Sequence, residues 1–357
     1  MRASRILALV GGVLTLGWAA QFLRGPAEGR GDPATGTLAP YDSAIASAWE
    51  PVATLSVDAI GGGAVQALAE RGDTLLVLQA NQWTMLVAGQ VIGTYGTAVT
   101  GAPGFLARAV GIGVTRDAIL VLDGARHRLT RWSRAGEMLD AHEMQPTVGL
   151  GSQRHGMVVA DDVAYVPTYV MAEEGGRWDL ERLRGTAHDT LIAGHGVDQP
   201  GAAHNQPVAA PLHDGRLLVL DAASWRLRLF SASGGLEREG RREDPPHYAI
   251  PAAARVKLRA LLGQMPPAQR RALELPAALT PIVAATAVGD SLLLTVIRTH
   301  DETAIAELLR LDGTPLARLW RDPDPHRIFA LDGALFRVRE RDDAFIVERQ
   351  RLASRSR

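Results

Sequence analysis

The chain has no cysteine, and Lys257 is its only lysine. Without cysteine it can form no disulfide, no thiolate nucleophile, no cysteine-ligated zinc site and no iron–sulfur cluster. An excess of charge of one sign is also lacking, because 38 basic residues oppose 39 acidic ones and leave a net charge of −1. This balance removes the broad basic field that nucleic-acid binding usually needs. We therefore expect no nucleic-acid partner.

The first 24 residues form a targeting segment. Arg2 and Arg5 precede an apolar run at residues 6–23, which fits either a short membrane-spanning helix or the core of a secretory signal peptide. We predict an N-terminal apolar helix here and interpret residues 1–24 as a signal peptide or a membrane anchor. With its arginines held inside, the rest of the chain is expected outside the cytoplasmic membrane.

Cleavage of this segment decides where the body of the protein lies. If the segment is retained, residues 6–23 contact the membrane and the body lies at the periplasmic or extracellular face of the cytoplasmic membrane. If it is cleaved, the body is secreted. Residues 25–49 are rich in glycine and proline and have little apolar periodicity, so they are predicted to be a flexible linker.

A short-strand motif recurs six times between residues 50 and 352. The copies begin at residues 73, 117, 161, 214, 289 and 332. Most are followed by a polar turn, a second strand with alternating side chains and a glycine-containing turn, a pattern that indicates β-hairpins. Apart from one longer interval, spacings of about 42 to 54 residues allow four short strands in each unit. The sequence predicts an all-β fold, a six-bladed β-propeller, in preference to a β-sandwich.

The last repeat is one strand short before the charged tail at residues 353–357, which we expect to be disordered. The missing strand can come from the other end of the propeller, where Val52–Val57 precedes the first complete blade. Pairing the two ends would remove the exposed sheet edges that invite aggregation. We predict that this N-terminal strand closes the ring as the outer strand of the last blade.

Two of the repeats resemble a known family. The stretch Gly201–Pro207, followed by Asp214-Gly215, Leu218–Asp221 and Arg226–Phe230, resembles an NHL-type blade of six-bladed β-propellers, and residues 104–136 are similar. The resemblance implies the fold of residues 50–352. Propellers of this type include binding scaffolds, lactonases and amidating lyases, so the fold alone selects no function.

The fourth and fifth copies begin at residues 214 and 289, 75 residues apart, so the repeat is interrupted there. Residues 252–275 are predicted to be a small helical insert between blades 4 and 5, with prolines at the helix starts. As the fold resemblance implies, the link between blades lies on the face that usually carries the pocket, where the insert could act as a lid.

The insert is basic. It contains five basic residues, Arg255, Lys257, Arg259, Arg270 and Arg271, against the single acid Glu274, a local net charge of +4. We favour a solvated helix face as the interpretation. The alternative is a site for an anionic ligand or for lipid headgroups, in which Arg255, Arg259 and Arg271 bind the anion.

Histidines are the candidates for a pocket at the centre of the propeller. His195, His204 and His326 each precede a predicted inner strand. Three converging imidazoles with an open fourth position would suit a catalytic metal such as zinc, and calcium is the other metal considered. The histidine spacing matches no ligand motif, which favours separate loop histidines. We therefore assign no cofactor, no metal ligand and no catalytic residue.

Aspartates and tryptophans that recur at blade spacing have structural interpretations. Asp123 and Asp221 end the second strands of their blades and are predicted to accept hydrogen bonds from turn amides. Three tryptophans at comparable positions are predicted to pack between blades: Trp83, Trp132 and Trp225. Trp178 lies in an irregular repeat and is a candidate for exposure.

The sequence therefore predicts an exported propeller, tethered to the membrane if the N-terminal segment is retained. Its predicted function is a binding scaffold for another envelope protein or for a small ligand. The alternative is a metal-dependent hydrolase or lyase with its site at the central propeller pocket. Whether the protein is an enzyme stays open at this point, with binding favoured.

Overall fold

The computed structural model describes most of the predicted propeller. It covers residues 49–56, 64–102, 104–144, 157–172, 175–185, 187–195, 206–221, 224–243, 245, 248–249, 252–263, 265–274, 278–279, 282–298, 304–322 and 328–352. The predicted targeting segment, all of the linker except Trp49, and the predicted tail lie outside these residues. Within the described part of the chain, no helix is long and apolar enough to cross a membrane.

The described strands form six antiparallel four-stranded sheets, which are the six blades of a β-propeller. Blade 1 contains β2 (Ala67–Arg71), β3 (Thr74–Leu78), β4 (Trp83–Val87) and β5 (Gln90–Tyr95). Blade 2 contains β6 (Ala109–Val114), β7 (Ile119–Asp123), β8 (Arg128–Trp132) and β9 (Met138–Glu143). Blade 3 contains β10 (Val158–Ala160), β11 (Val163–Ala172), β12 (Gly175–Arg184) and β13 (Ala187–His195).

The remaining blades follow the same order from the inner to the outer strand. Blade 4 contains β14 (Pro207–Pro211), β15 (Leu217–Asp221), β16 (Arg226–Phe230) and β17 (Leu236–Arg241). Blade 5 contains β20 (Ile282–Val288), β21 (Leu292–Arg298), β22 (Ala304–Arg310) and β23 (Pro315–Asp322). Blade 6 contains β24 (Ile328–Leu331), β25 (Ala334–Arg341), β26 (Ala344–Arg351) and, as its outer strand, β1 (Glu50–Ser56).

All six copies of the repeated motif form the second strand of a blade: β3, β7, β11, β15, β21 and β25. These strands read as continuous apolar runs because both of their faces are covered by neighbouring blades. Every residue of Thr74–Leu78 and of Ile119–Asp123 is buried. The repeated motif is therefore the buried second strand of each blade, and its side chains form the core between neighbouring blades.

The N-terminal strand closes the ring, as predicted. β1 pairs with β26 in the antiparallel sense, with Leu55 opposite Phe345, and Leu55 is 1% exposed. The strand begins at Glu50, and the predicted last residue, Val57, lies outside the described residues. An ion pair joins blade 6 to blade 1, because Arg349 Nη1 lies 2.8 Å from Glu70 Oε1.

The two ends of the strands define two faces of the propeller. The turn face carries the turns between the first and second and between the third and fourth strands of each blade. The opposite face carries the links between blades, and we call it the insert face. Between β17 and β20 the chain forms α1 (Ala252–Leu261) and α2 (Pro267–Leu273). The antiparallel pair β18 (Tyr248–Ala249) and β19 (Ala278–Leu279) joins the two ends of this segment, called the insert below.

The predicted roles of the recurring aspartates are confirmed. Asp123 is fully buried, and its carboxylate accepts hydrogen bonds from four backbone amides, which belong to Ala107, Arg108, Ala125 and Arg126. Asp221 accepts hydrogen bonds from the backbone amide and the hydroxyl of Ser224. Both carboxylates hold the turn that follows the second strand.

The tryptophans lie in the core. Trp83 of blade 1 and Trp132 of blade 2 meet edge to face with ring centroids 5.8 Å apart, which confirms packing between these blades. The expectation that Trp178 is exposed is wrong, since this side chain is 2% exposed. Trp178 packs on Tyr169, with ring centroids 5.0 Å apart. The hairpin of β11 and β12 is longer than those of the other blades, so Tyr169 on β11 covers the Trp178 ring on β12.

Candidate functional site

The structure places only one of the three predicted pocket histidines. His195 is the last residue of β13, opposite Trp178 of β12, at the insert face. His204 and His326 lie outside the described residues. Among the residues that the structure covers, no group of three or more histidine, aspartate or glutamate side chains could hold a metal ion. The histidine pocket therefore stays a prediction.

The insert is folded back onto the propeller. Helix α2 packs against β12 of blade 3, although the insert follows blade 4 in the chain. Leu262, just after α1, and Leu273, the last residue of α2, are each 2% exposed. Both apolar side chains are thus covered, and α2 is held against blade 3 rather than left in solvent.

The three predicted anion-binding arginines differ in their surroundings. Arg259 Nε donates to Glu274 Oε1 at 2.6 Å, so this pair is internal to the insert. Arg271 is exposed. Arg255 is half-buried, and its Nε atom has no hydrogen-bond partner in the described part of the chain. The insert therefore keeps an excess of positive charge, to which Arg271 contributes from an exposed position and Arg255 from a half-buried one.

Two buried polar atoms near the insert face lack partners, and sequence reasoning did not single them out. Tyr169 of β11 is 1% exposed, Gln206 before β14 is 4% exposed, and neither the Tyr169 hydroxyl nor Gln206 Oε1 has a hydrogen-bond partner among the described residues. Burial raises the pKa of the Tyr169 hydroxyl far above its ordinary value, so this group stays neutral. An unpaired buried polar atom costs about 1–3 kcal/mol and indicates a site for water or a ligand group.

A second buried polar group in blade 3 is satisfied internally. Glu181 of β12 is 3% exposed, accepts a hydrogen bond from Thr168 Oγ1 at 3.3 Å and lies 3.0 Å from His188 Nε2. The His188 ring packs edge-on against His142 of blade 2, with centroids 5.2 Å apart. This cluster joins the outer parts of blades 2 and 3 and has a structural explanation.

On the turn face, one carboxylate joins three blades through hydrogen bonds. Asp162, in the first turn of blade 3, accepts hydrogen bonds from Arg71 Nη1 of blade 1 at 2.9 Å and from the Arg116 amide of blade 2 at 2.5 Å. The hydrogen bond from Arg71, followed by that from Arg116, lowers the pKa of this carboxyl. Asp161 and Asp162 both have positive φ and form the turn between β10 and β11.

The inner strand of blade 2 carries no polar side chain. β6 is made only of alanine, valine, isoleucine and glycine, and all six residues are buried. At Gly113 the wall is packed so closely that an added Cβ would lie 2.2 Å from Val159 Cγ2 of blade 3. Blade 2 therefore offers a ligand no polar side chain from its inner strand.

Comparison with known proteins shows the fold and no family. No protein-family model and no curated protein matches the sequence, so the resemblance to NHL-type blades stays a prediction. A candidate exported protein of Bacteroides fragilis is similar in structure, with a TM-score of 0.54 and 9% identity over 88% of this chain and 97% of that one. A DUF4221 family member of Bacteroides vulgatus has a TM-score of 0.50 and 11% identity, over 87% and 97% of the two chains.

A third similar structure is the virginiamycin B lyase of Staphylococcus aureus, with a TM-score of 0.47 and 11% identity over 84% of this chain and 98% of that one. Identities this low relate folds and carry no activity from one protein to another. The comparisons and the strand topology agree that the chain is a six-bladed β-propeller.

Proposed function

We propose that the protein is an exported binding module whose insert face contacts an anionic partner, either an envelope protein or a small ligand. The observation that carries the proposal is the basic insert folded onto blade 3, with Leu262 and Leu273 buried and the positive charge of Arg255 and Arg271 retained. A fixed patch of one sign attracts a partner of the opposite sign.

An exposed apolar side chain supports binding by contact as well as by charge. Val256 of α1 is 62% exposed and is followed by the exposed Lys257. Val256 would give a bound partner an apolar contact beside the charged side chains of α1. The unpaired polar atoms of Tyr169 and Gln206 add two buried positions on this side of the propeller that a ligand could satisfy.

We also propose that the protein is exported. It is supported by the two arginines and the apolar run at residues 6–23, which lie outside the described residues. The body would then lie in the periplasm or at the outer face of the cytoplasmic membrane, or be secreted after cleavage. Protease accessibility of the intact protein in whole cells and spheroplasts tests this location.

Charge reversal tests the insert face. The double variant Arg255→Glu/Arg271→Glu replaces two positive charges of the insert by two negative ones and leaves the Arg259–Glu274 pair intact. We expect it to lose the partner that co-purifies with the wild-type chain from an envelope extract at low salt. The control, Arg134→Glu/Arg184→Glu, makes the same change of net charge on exposed residues of the turn face and should keep the partner. Equal retention by both variants would contradict the proposal.

Metal analysis of the purified full-length chain separates binding from the metal-dependent alternative. The binding proposal expects substoichiometric metal by mass spectrometry when neither metal nor chelator is added. Stoichiometric zinc or calcium that is lost on replacement of His195, His204 and His326 would favour a hydrolase or lyase instead.

A further inference from the structure

A cleft lies between blades 4 and 5 on the turn face, at the opposite ends of the strands from the insert. Its volume is about 540 Å³, which lies within the range of ligand pockets. Charged residues of both blades line its rim: Arg216, Glu237, Arg238, Asp290, Arg310 and Asp312. Leu229 is 6% exposed, while Leu292 and Leu311 are half-buried, so the floor is apolar and the rim is charged.

The cleft lies beside a rigid seam. A Cβ added at Gly240 of β17 would lie 2.7 Å from the Asp312 carbonyl oxygen, and one at Gly313 would lie 2.8 Å from the Arg241 carbonyl carbon. The backbones of the two blades therefore meet without a side chain between them. Such a wall is formed before any ligand arrives, which lowers the ordering cost of binding.

Most charges on the rim are already paired. Arg216 Nε lies 2.6 Å from Asp214 Oδ2, and its Nη1 lies 3.9 Å from Glu237 Oε2. Asp312 accepts a hydrogen bond from the Thr314 amide at 2.9 Å, and Arg238 Nη2 lies 3.9 Å from its other oxygen.

Two opposite charges on the rim make no ion pair with any residue that the structure describes. Arg310, the last residue of β22, and Asp290, in the turn before β21, are exposed, and neither side chain makes a hydrogen bond or ion pair within the described residues. The Arg310 charge helps to lower the pKa of Asp312, after the hydrogen bonds from Thr314 and the charge of Arg238. Arg310 is the cross-strand neighbour of Leu292, which follows Asp290 by two positions. The cation of Arg310 and the anion of Asp290 therefore both lie on the rim of the cleft, beside its apolar floor.

We propose that this cleft binds a zwitterion of dipeptide size with apolar side chains. The ligand carboxylate bonds to the Arg310 guanidinium, and the ligand ammonium bonds to the Asp290 carboxylate. Its side chains cover Leu292 and Leu311, and two extended residues span about 7 Å, a length that a cleft of this volume accommodates. The site is separate from the insert face and does not depend on the function proposed for it.

Calorimetric titration of the full-length chain with leucyl-leucine tests the proposal. N-acetyl-leucyl-leucine, which lacks the ammonium, and leucyl-leucine amide, which lacks the carboxylate, are each expected to bind about tenfold more weakly or worse. Arg310→Ala should weaken leucyl-leucine by a similar factor, and Asp290→Asn should remove the preference for the free amine. Arg341→Ala, an exposed arginine of β25 without a partner in the described residues, is the matched control and should change nothing.

The outcomes separate this site from the insert face. Arg255→Glu/Arg271→Glu should bind leucyl-leucine as the wild type does. No heat of binding at millimolar dipeptide, equal affinity for the three probes, or an unchanged affinity of the Arg310→Ala variant would each overturn the proposal. A loss of binding in the insert variant alone would place the dipeptide at the other face.

Discussion

Arg242, which follows the outer strand of blade 4, donates to Glu307 of blade 5 at 2.7 Å, and the two side chains are only 4% and 2% exposed. Arg318 Nη2 reaches the other carboxylate oxygen of Glu307 at 3.2 Å. The Arg242 guanidinium also stacks on the Trp225 ring, 4.7 Å from its centroid. One buried carboxylate is thus shared by two arginines at the seam beside the proposed cleft.

Glu307→Gln should strongly destabilise the protein, because it removes the negative charge that two arginines share. Breaking one partner of a buried ion pair costs about 3–5 kcal/mol. Asp140→Asn is the control, since Asp140 pairs with Arg131 at 2.7 Å but is 48% exposed, and an exposed pair contributes at most about 1 kcal/mol. Urea unfolding measures both. Equal losses in the free energy of unfolding would show that the buried ion pair does not stabilise the contact between blades 4 and 5.

Gly240→Ala should destabilise the contact between blades 4 and 5, because the new Cβ would lie 2.7 Å from a backbone oxygen that cannot move aside cheaply. We expect a loss of about 1–3 kcal/mol in the free energy of unfolding. Gly235→Ala, before the same strand, meets only Ser231 Oγ at 3.4 Å and should be nearly neutral. If the two variants unfold at the same denaturant concentration, the close approach of the blades is wrong.

Leu55→Ala tests closure of the ring. Leu55 is 1% exposed in the core that β1 forms with blade 6, and truncation of a buried leucine costs about 2–5 kcal/mol. Thr54→Ala, the exposed neighbour on the same strand, should cost less than about 0.5 kcal/mol. Chemical denaturation of the two variants checks this. A Leu55→Ala variant as stable as Thr54→Ala would mean that β1 does not complete the last blade in solution.

Asp162→Asn should make the stability of the protein less dependent on acid pH. Hydrogen bonds from Arg71 and Arg116 lower the pKa of Asp162 in the folded state. The ionised Asp162 carboxylate therefore stabilises the fold above the pKa that it has in the unfolded chain. This stabilisation is lost as the pH falls through the lower pKa of the folded state. Asparagine tolerates the positive φ of 64°.

At pH 7 the wild type should be the more stable of the two by up to about 1 kcal/mol, since Asp162 is partly exposed. The difference should shrink as the pH is lowered below about 3.9, the ordinary aspartate pKa. Urea unfolding at several pH values measures it. A difference that stays constant down to acid pH would exclude the charge of Asp162 as its source.

The strand order could be predicted because each blade repeats one local pattern. The apolar second strand of blade 2 ends at Asp123, whose four amide contacts all come from nearby turns and links. The completion of blade 6 by β1 also followed from a local count of strands.

Contacts between distant segments could not be predicted in this way. Arg242 and Glu307 are 65 positions apart, and nothing in the sequence distinguishes them from the many surface charges. Trp178 looked exposed because its repeat is irregular, whereas the longer hairpin covers it with Tyr169. Arg310 could be recognised as unpaired only after the neighbouring charges were seen to pair with one another.

Site-specific photo-crosslinking tests the binding face most directly. A benzoylphenylalanine placed at Val256 on α1 is compared with one at Leu316 on β23, both exposed apolar positions of the full-length chain expressed in its own envelope. Binding at the insert face predicts one dominant adduct at position 256, reduced by Arg255→Glu/Arg271→Glu, and none at position 316. Equal adducts at the two positions, or none at position 256 in a folded protein, would contradict it.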